Sequence, residues 1–479
     1  MALIEQTDPP QGVERIECNP VLLFAPLAAS IFIVMAFSSV PSALIAAIII
    51  VWLGGGFAVR WDPLHPYTIF GTGMMLYAIA APLLSEFDLF PRPLYRAADA
   101  LQILYVSFTV VYLVIWPTRL SMTRVREIDP SPFLAGAKVV IAIFLPLCAL
   151  SSLSPFLGDL ATKETIVSEG GILARLSYFS ALNIGVSLLL LHAIWQKQIS
   201  TAWRIFLPFA VFYFLVIGFA GQRYGIYYLC ITAFIVFAAF YRVRFRALAT
   251  IGVTALALNT LLGGLKLFIT ASLMGQDVVQ STLDFYGTDD FNYWLAYEGI
   301  LSRTFKTILL TLLGSEPTTV ADNLNTLLDL VPSTYPYRFG SAALGDLGRA
   351  FSLGFLQDTA TGIGATAQNS GFLFNSWVQL EGLLDGSGVG FCLICTGYLD
   401  FGSVGAIIIS VLLGLALRES YRWAAGSAIG LIFYANLIPI AMTSLRQDLS
   451  QIISTPLKQL FVPLLIIWLT VLFGRKRQI

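Results

Sequence analysis

Five arginines carry the first hint of chemistry: Arg223 in Gly-Gln-Arg-Tyr-Gly, Arg303, Arg338 in Tyr-Pro-Tyr-Arg-Phe-Gly, Arg349, and Arg446 in Ser-Leu-Arg-Gln-Asp. A guanidinium stays charged at any relevant pH and presents a rigid fork of donors that fits phosphate oxygens two at a time. Several converging at headgroup depth would suit a lipid-linked pyrophosphate. Each taken singly also has an ordinary explanation, snorkelling to phospholipid headgroups or pairing with a carboxylate. Arg223 and Arg446 carry the most weight, because each sits at a tight turn where few charges occur. Aromatic residues interleave the same stretches: Tyr286, Phe291, Tyr293, Trp294, Tyr297, Tyr335, Tyr337 and Trp377. Their faces suit sugar rings, and they equally suit an interfacial belt. Glu298, Asp346, Glu381, Asp385 and Asp400 are the carboxylates available as a general base.

The elements that must position these side chains are membrane spans. Of the 479 residues 57% are hydrophobic and 12% charged, against roughly 25% charged in soluble domains. With a mean hydropathy of +0.79, the chain reads as an all-α polytopic membrane protein. Its 28 basic and 28 acidic residues cancel, so nothing points to nucleic acid or a strongly charged partner. Apolar runs of spanning length fall near 21–38, 41–58, 67–84, 99–116, 133–151, 176–195, 204–220, 225–241, 248–269, 402–417, 424–441 and 458–474, about twelve in all. The first two, joined through Ser38-Ser39-Val40-Pro41, read as a helical hairpin.

Arginine and lysine recur in alternate links: Arg60; Arg119, Arg124 and Arg126; Lys197 and Arg204; Arg242, Arg244 and Arg246; Arg418 and Arg422; and the Arg475-Lys476-Arg477 tail. The positive-inside rule then puts both termini in the cytoplasm. The predicted organisation is a cytoplasmic tail over 1–20, a bundle of about nine spans over 21–270, a large periplasmic or external loop over 271–385, and about three spans with a basic tail over 386–479. Within the loop, 299–314 carries Arg303 and Lys306 on an apolar background and reads as an amphipathic or re-entrant helix; 372–384 is apolar enough to dip in without crossing. Residues 1–19, with Glu5, Asp8 and Glu14, read as a tail and not as a cleaved signal.

Metal and thiol chemistry find little support. The histidines are His65 and His192, with no zinc-binding spacing. Cys392 and Cys395 lie in an apolar run and read as packing thiols, and the five cysteines suggest no disulfide framework. Asp289 and Asp290 are adjacent, as in a turn with Gly287, and not spaced as a metal-binding Asp-x-Asp pair.

The chain resembles the Wzy-type polymerases of O-antigen and exopolysaccharide repeat units. The resemblance rests on Gly221-Gln222-Arg223 at the start of a span, a single long external loop in the C-terminal half, Tyr398-Leu-Asp400-Phe-Gly402-x-x-Gly405, and Arg446-Gln-Asp448. It implies a glycosyltransferase in the bacterial inner membrane, with room for a GT-C-like arrangement of helices. Its substrate would be a polyprenyl-pyrophosphate-linked oligosaccharide among membrane lipids, and a chain-length regulator would be a candidate partner. A pyrophosphate leaving group needs a metal or fixed cations; arginines in the metal's place imply no cofactor. On this reading Arg223, Arg338 and Arg446 hold the donor pyrophosphate, Arg303 or Arg349 assists the acceptor, and Glu381 or Glu298 is the base. Gln222, Tyr335, Tyr337, Trp294, Trp377 and Asp400 complete the substrate-binding set, Asp400 being better suited to ordering a helix start.

Three rivals remain on the sequence. An O-antigen ligase would place a histidine in the large outer loop, and this loop has none. A polyprenyl-phosphate-sugar transferase would carry an acidic pair in the first outer link, which here is Ser-Ser-Val-Pro. A lipid-linked oligosaccharide flippase would show paired halves with helices broken at the midplane.

Overall fold

A computed structural model describes residues 4–5, 20–90, 94–116, 129–157, 179–214, 224–243, 250, 306, 309, 313, 318–351, 370–382 and 391–475. The described chain is helical apart from a two-residue antiparallel pairing of Ile4–Glu5 with Arg242–Val243. That pairing joins the N-terminal tail to an arginine-bearing link expected on the same side.

The helices, in order, are α1 (Pro20–Phe37), α2 (Pro41–Ala58), α3 (Thr72–Glu86, after a π turn at Tyr67–Gly71), α4 (Ala97–Ile115), α5 (Leu134–Leu157), α6 (Phe179–Trp195), α7 (Ile199–Phe212) and α8 (Tyr224–Ala238). After residue 318 come α9 (Thr319–Leu330), α10 (Ser341–Phe351), α11 (Ser370–Leu380), α12 (Leu393–Gly426), α13 (Ala428–Thr443), α14 (Leu449–Pro456) and α15 (Val462–Arg475). Among the described residues 6 helices are long and apolar enough to cross a membrane, and shorter apolar helices accompany them. Large apolar side chains such as Phe32, Met35, Leu207, Val404, Leu465 and Trp468 are exposed, which lipid tolerates and water does not. The molecule is a multi-pass membrane protein. Of the expected span at 248–269, Thr250 alone is among the described residues.

Local sequence explains the N-terminal packing. Val40 N–H donates to Phe37 O at 3.0 Å and Pro41 opens α2, so the α1–α2 link is a single turn. Small residues then let backbones approach. A Cβ on Gly54 would strike Pro26, one on Gly55 the Tyr67 ring, and one on Gly56 the Trp61 ring. The Tyr67 hydroxyl donates to Val51 O at 3.0 Å and that of Tyr434 to Leu64 O at 2.6 Å, the second tying α13 to the approach to α3. Leu309 and Leu313, from the apolar run at 299–314, pack with Ala80 and Leu84 near the end of α3.

α12 departs from a simple span. It is helical from Leu393, loses helical geometry at Phe401 and Gly402 (φ 62°, ψ −147°), and resumes to Gly426. That region of backbone space is open essentially to glycine alone. Gly397 and Gly405 meet across the break, so that a Cβ on either would strike the other's backbone carbonyl. On a straight helix residues eight apart would lie about 12 Å apart. The chain therefore bends sharply, and the Tyr398–Gly405 motif marks a broken helix.

Candidate functional site

The segment before α10 is seated in that break. A helix interrupted at 401–402 leaves the carbonyls of Leu399 and Asp400 without their usual partners four residues on. Arg338 N–H donates to Leu399 O at 3.1 Å and Phe339 N–H to Asp400 O at 3.0 Å. The Asp400 side chain, 2% exposed, accepts from Ala342 N–H (Oδ1, 3.1 Å) and Ala343 N–H (Oδ2, 2.9 Å). It does order a helix start, that of α10 and not that of its own helix. Tyr337 covers the break: a Cβ on Gly402 would lie 3.1 Å from its hydroxyl.

Arg338 is thus fixed by its backbone while its side chain is partly exposed. Its Nε is buried and has no hydrogen-bond partner among the described residues. A buried guanidinium donor calls for an acceptor, and an anionic oxygen is the strongest available. Arg446 flanks the other end of the same half-helix. Leu393 N–H donates to Ser444 O at 3.0 Å, two residues before Arg446. From Leu393 to Leu399 the half-helix rises about 9 Å, so the two arginines bracket one short element. Arg349 is exposed in the last turn of α10, where a cation suits the helix dipole.

A buried polar cluster joins α10, α11, α12 and α14. Asp346 on α10 is fully buried and accepts from Ser370 N–H at 2.9 Å and the Ser370 hydroxyl at 2.6 Å. Ser370 is also 3.0 Å from the Thr396 hydroxyl, and Leu449 N–H bonds to Asp346 from α14. Asp448, 5% exposed, caps α14 through Gln451 N–H and accepts from Ser450. Burial, reinforced by the charge of Asp448, pushes the Asp346 carboxyl up to about 7 against the opposing hydrogen bonds. Nothing in the sequence marks Ser370 or Thr396. Asp346 stands on the apolar face of an amphipathic helix, which is the signal that separates it from the other loop carboxylates.

The remaining expected residues divide. Tyr335 and Trp377 stack on each other, centroids 4.2 Å apart and planes within 5°. One face of each is therefore spent inside the protein, and Trp377 is largely buried. Glu381 is exposed and accepts from the Tyr335 hydroxyl at 2.9 Å. Arg223, Gln222, Trp294, Glu298 and Arg303 lie outside the described residues, as do Asp289, Asp290 and Asp385. One expectation is corrected: Cys392 and Cys395 form a disulfide. Cys392 is the extended N-cap residue of α12 and its Sγ accepts from Cys395 N–H at 3.1 Å, so one turn of helix brings the two sulfurs together.

This arrangement lies where a family comparison also falls. Residues 333–478 match the family model described as O-antigen polysaccharide polymerase Wzy. The match supports a Wzy-type polymerase. It begins just before Tyr335 and covers Arg338, α10, α11, the broken α12 and the Arg446 turn. No curated protein and no solved structure matches the chain. The family match supports repeat-unit polymerisation in general, by an enzyme of glycosyltransferase type.

Proposed function

We propose that the protein joins polyprenyl-pyrophosphate-linked oligosaccharide repeat units into O-antigen or exopolysaccharide at the outer leaflet. The acceptor sugar's hydroxyl oxygen bonds to the anomeric carbon of the donor chain. The bond from that carbon to the pyrophosphate oxygen breaks, and polyprenyl pyrophosphate leaves with the electron pair. Arg338 and Arg446, with Arg223, hold the donor pyrophosphate and stabilise the charge that develops on it, without a metal. Arg349 or Arg303 steadies the acceptor, and Glu381 or Glu298 takes the hydroxyl proton. About twelve spans, both termini in the cytoplasm and an external 271–385 segment complete the placement. A chain-length regulator would act on this face.

The observation that carries the reading is the buried Nε of Arg338, without a hydrogen-bond partner among the described residues, inside the stretch that matches the Wzy model. The test is purified protein with a defined lipid-linked repeat unit, in buffer containing chelator and no nucleotide, resolved on a gel. A ladder is expected from the wild type and none from Arg338→Ala. A full ladder from Arg338→Ala sinks the assignment of the arginine, and no ladder from the wild type sinks the reaction.

A helix broken in the membrane also suits a transporter, so the flippase reading keeps one observation in its favour. Carrier-lipid analysis separates the two. Loss of a polymerase leaves single repeats on the outer leaflet, whereas loss of a flippase strands them inside.

A further inference from the structure

We infer that Asp400 is the positioning residue for Arg338: it does not touch substrate but sets where that guanidinium stands. The inference rests on the reading of Arg338 as a pyrophosphate ligand.

The turn bearing Arg338 is unusual backbone. Phe339 (φ 48°) and Gly340 (φ 89°) are consecutive left-handed residues, and the former is disfavoured for a bulky side chain. Such a turn persists only where its surroundings over-determine it. Here the surroundings are two residues of another helix. Four backbone donors, on Arg338, Phe339, Ala342 and Ala343, all end on acceptors from Leu399 and Asp400. Asp400 supplies three of the four, one through its carbonyl and two through its carboxylate.

A carboxylate 2% exposed on an apolar helix is costly to bury. Among the described residues no lysine or arginine pairs with it. What holds it is the N-terminal end of α10, whose free N–H groups and dipole favour an anion. Helix capping alone would be met by a local side chain at lower cost. Drawing the cap from across the helix break does something a local cap does not: it locks the Arg338 turn and the start of α10 to α12 as one unit.

The test is a double-mutant cycle on binding, read with sugar-free undecaprenyl pyrophosphate and full-length protein in nanodiscs. Arg338→Ala and Asp400→Ala are each expected to weaken binding about 10- to 100-fold, the range of a charge-assisted hydrogen bond. The double variant is expected to bind no more weakly than Arg338→Ala, because a displaced arginine and a missing one are equivalent to the ligand. Additive losses overturn the positioning role, as does wild-type binding by Asp400→Ala. Wild-type binding by Arg338→Ala overturns instead the ligand reading on which the inference rests. Should Asp400→Ala fail to fold, Asp400→Asn serves in the same cycle. It conserves volume and one acceptor, so a smaller loss that again vanishes in the Arg338→Ala background is expected. A loss that persists there overturns the inference.

Discussion

Two glycine clusters in this chain do opposite things. Gly54, Gly55 and Gly56 sit in an unbroken α2, where their missing side chains are filled by Pro26, Tyr67 and Trp61. Gly397, Gly402 and Gly405 sit in α12, where the helix breaks and the backbone meets itself. The buried carboxylates follow the same division. Every buried carboxylate among the described residues, Asp322, Asp346, Asp400 and Asp448, lies after residue 318. The N-terminal bundle is held by close packing and neutral hydrogen bonds, and the C-terminal part uses buried carboxylates to hold an arrangement. Buried carboxylates in a membrane protein are a mark of function, so this difference points to the C-terminal part as the site.

Changes on the two sides should fail in different ways. The largest expected effect is that of Arg338→Ala on the site side, a fall of at least about 100-fold in polymer formed per folded molecule. Arg338→Lys should recover only part of it, since an ammonium lacks the fork. Next is Gly402→Ala, which forces a side chain into a backbone region costing roughly 1–3 kcal/mol. It should lower the melting temperature in detergent and also cut the activity of the molecules that remain folded. Gly55→Ala is its counterpart in the scaffold. Overpacking against Tyr67 should cost roughly 1–3 kcal/mol, yet activity per folded molecule should stay at the wild-type level. An activity loss there would dissolve the comparison.

Smaller effects sharpen it. The Asp346 carboxyl titrates near neutrality in the fold, pushed up to about 7 by burial, against about 3.9 unfolded. Between those values the folded state holds a proton that the unfolded state has lost. This group's contribution to stability is thus complete below about pH 4 and is lost as pH rises through about 7, at a slope of up to about 1.4 kcal/mol per pH unit. Melting curves across that range should show the decline, and Asp346→Asn should flatten it. Smallest is Tyr335→Phe, which removes a hydrogen bond to the exposed Glu381. A stability change within about 0.5 kcal/mol is expected, with a ladder close to that of the wild type. A large loss of activity would favour Glu381 over Glu298 as the base.

Much of the architecture was legible because lipid imposes a simple rule. A run of apolar residues long enough to cross must satisfy its backbone internally and so becomes a helix. The boundaries of α2 and the tight turn at Val40-Pro41 therefore follow from composition and one proline. α12 shows where that logic stops. Hydropathy placed a span at 402–417, while the helix runs from Leu393 to Gly426 with its break at 401–402. Hydropathy does not register φ and ψ, and three glycines permit a break without requiring one. The cysteines failed for a related reason. A C-x-x-C pair in an apolar run looks the same whether or not its first member is an extended N-cap residue.

For the site, residue types alone were enough to nominate arginine, because no other side chain combines permanent charge with a phosphate-matched fork. They were also enough to discount a spaced metal-binding aspartate pair. Composition and the positive-inside pattern, likewise local properties, determined an α-helical membrane protein and which links were basic. What only the tertiary structure decided is which groups meet. Arg338 is held by residues some 60 positions later, Tyr335 spends its face on Trp377, and Asp346 is buried beside Asp448 through α14. The first of these depends on how a broken helix bends back on itself. A bend is a compromise among distant hydrogen bonds, which no local reading of the chain contains.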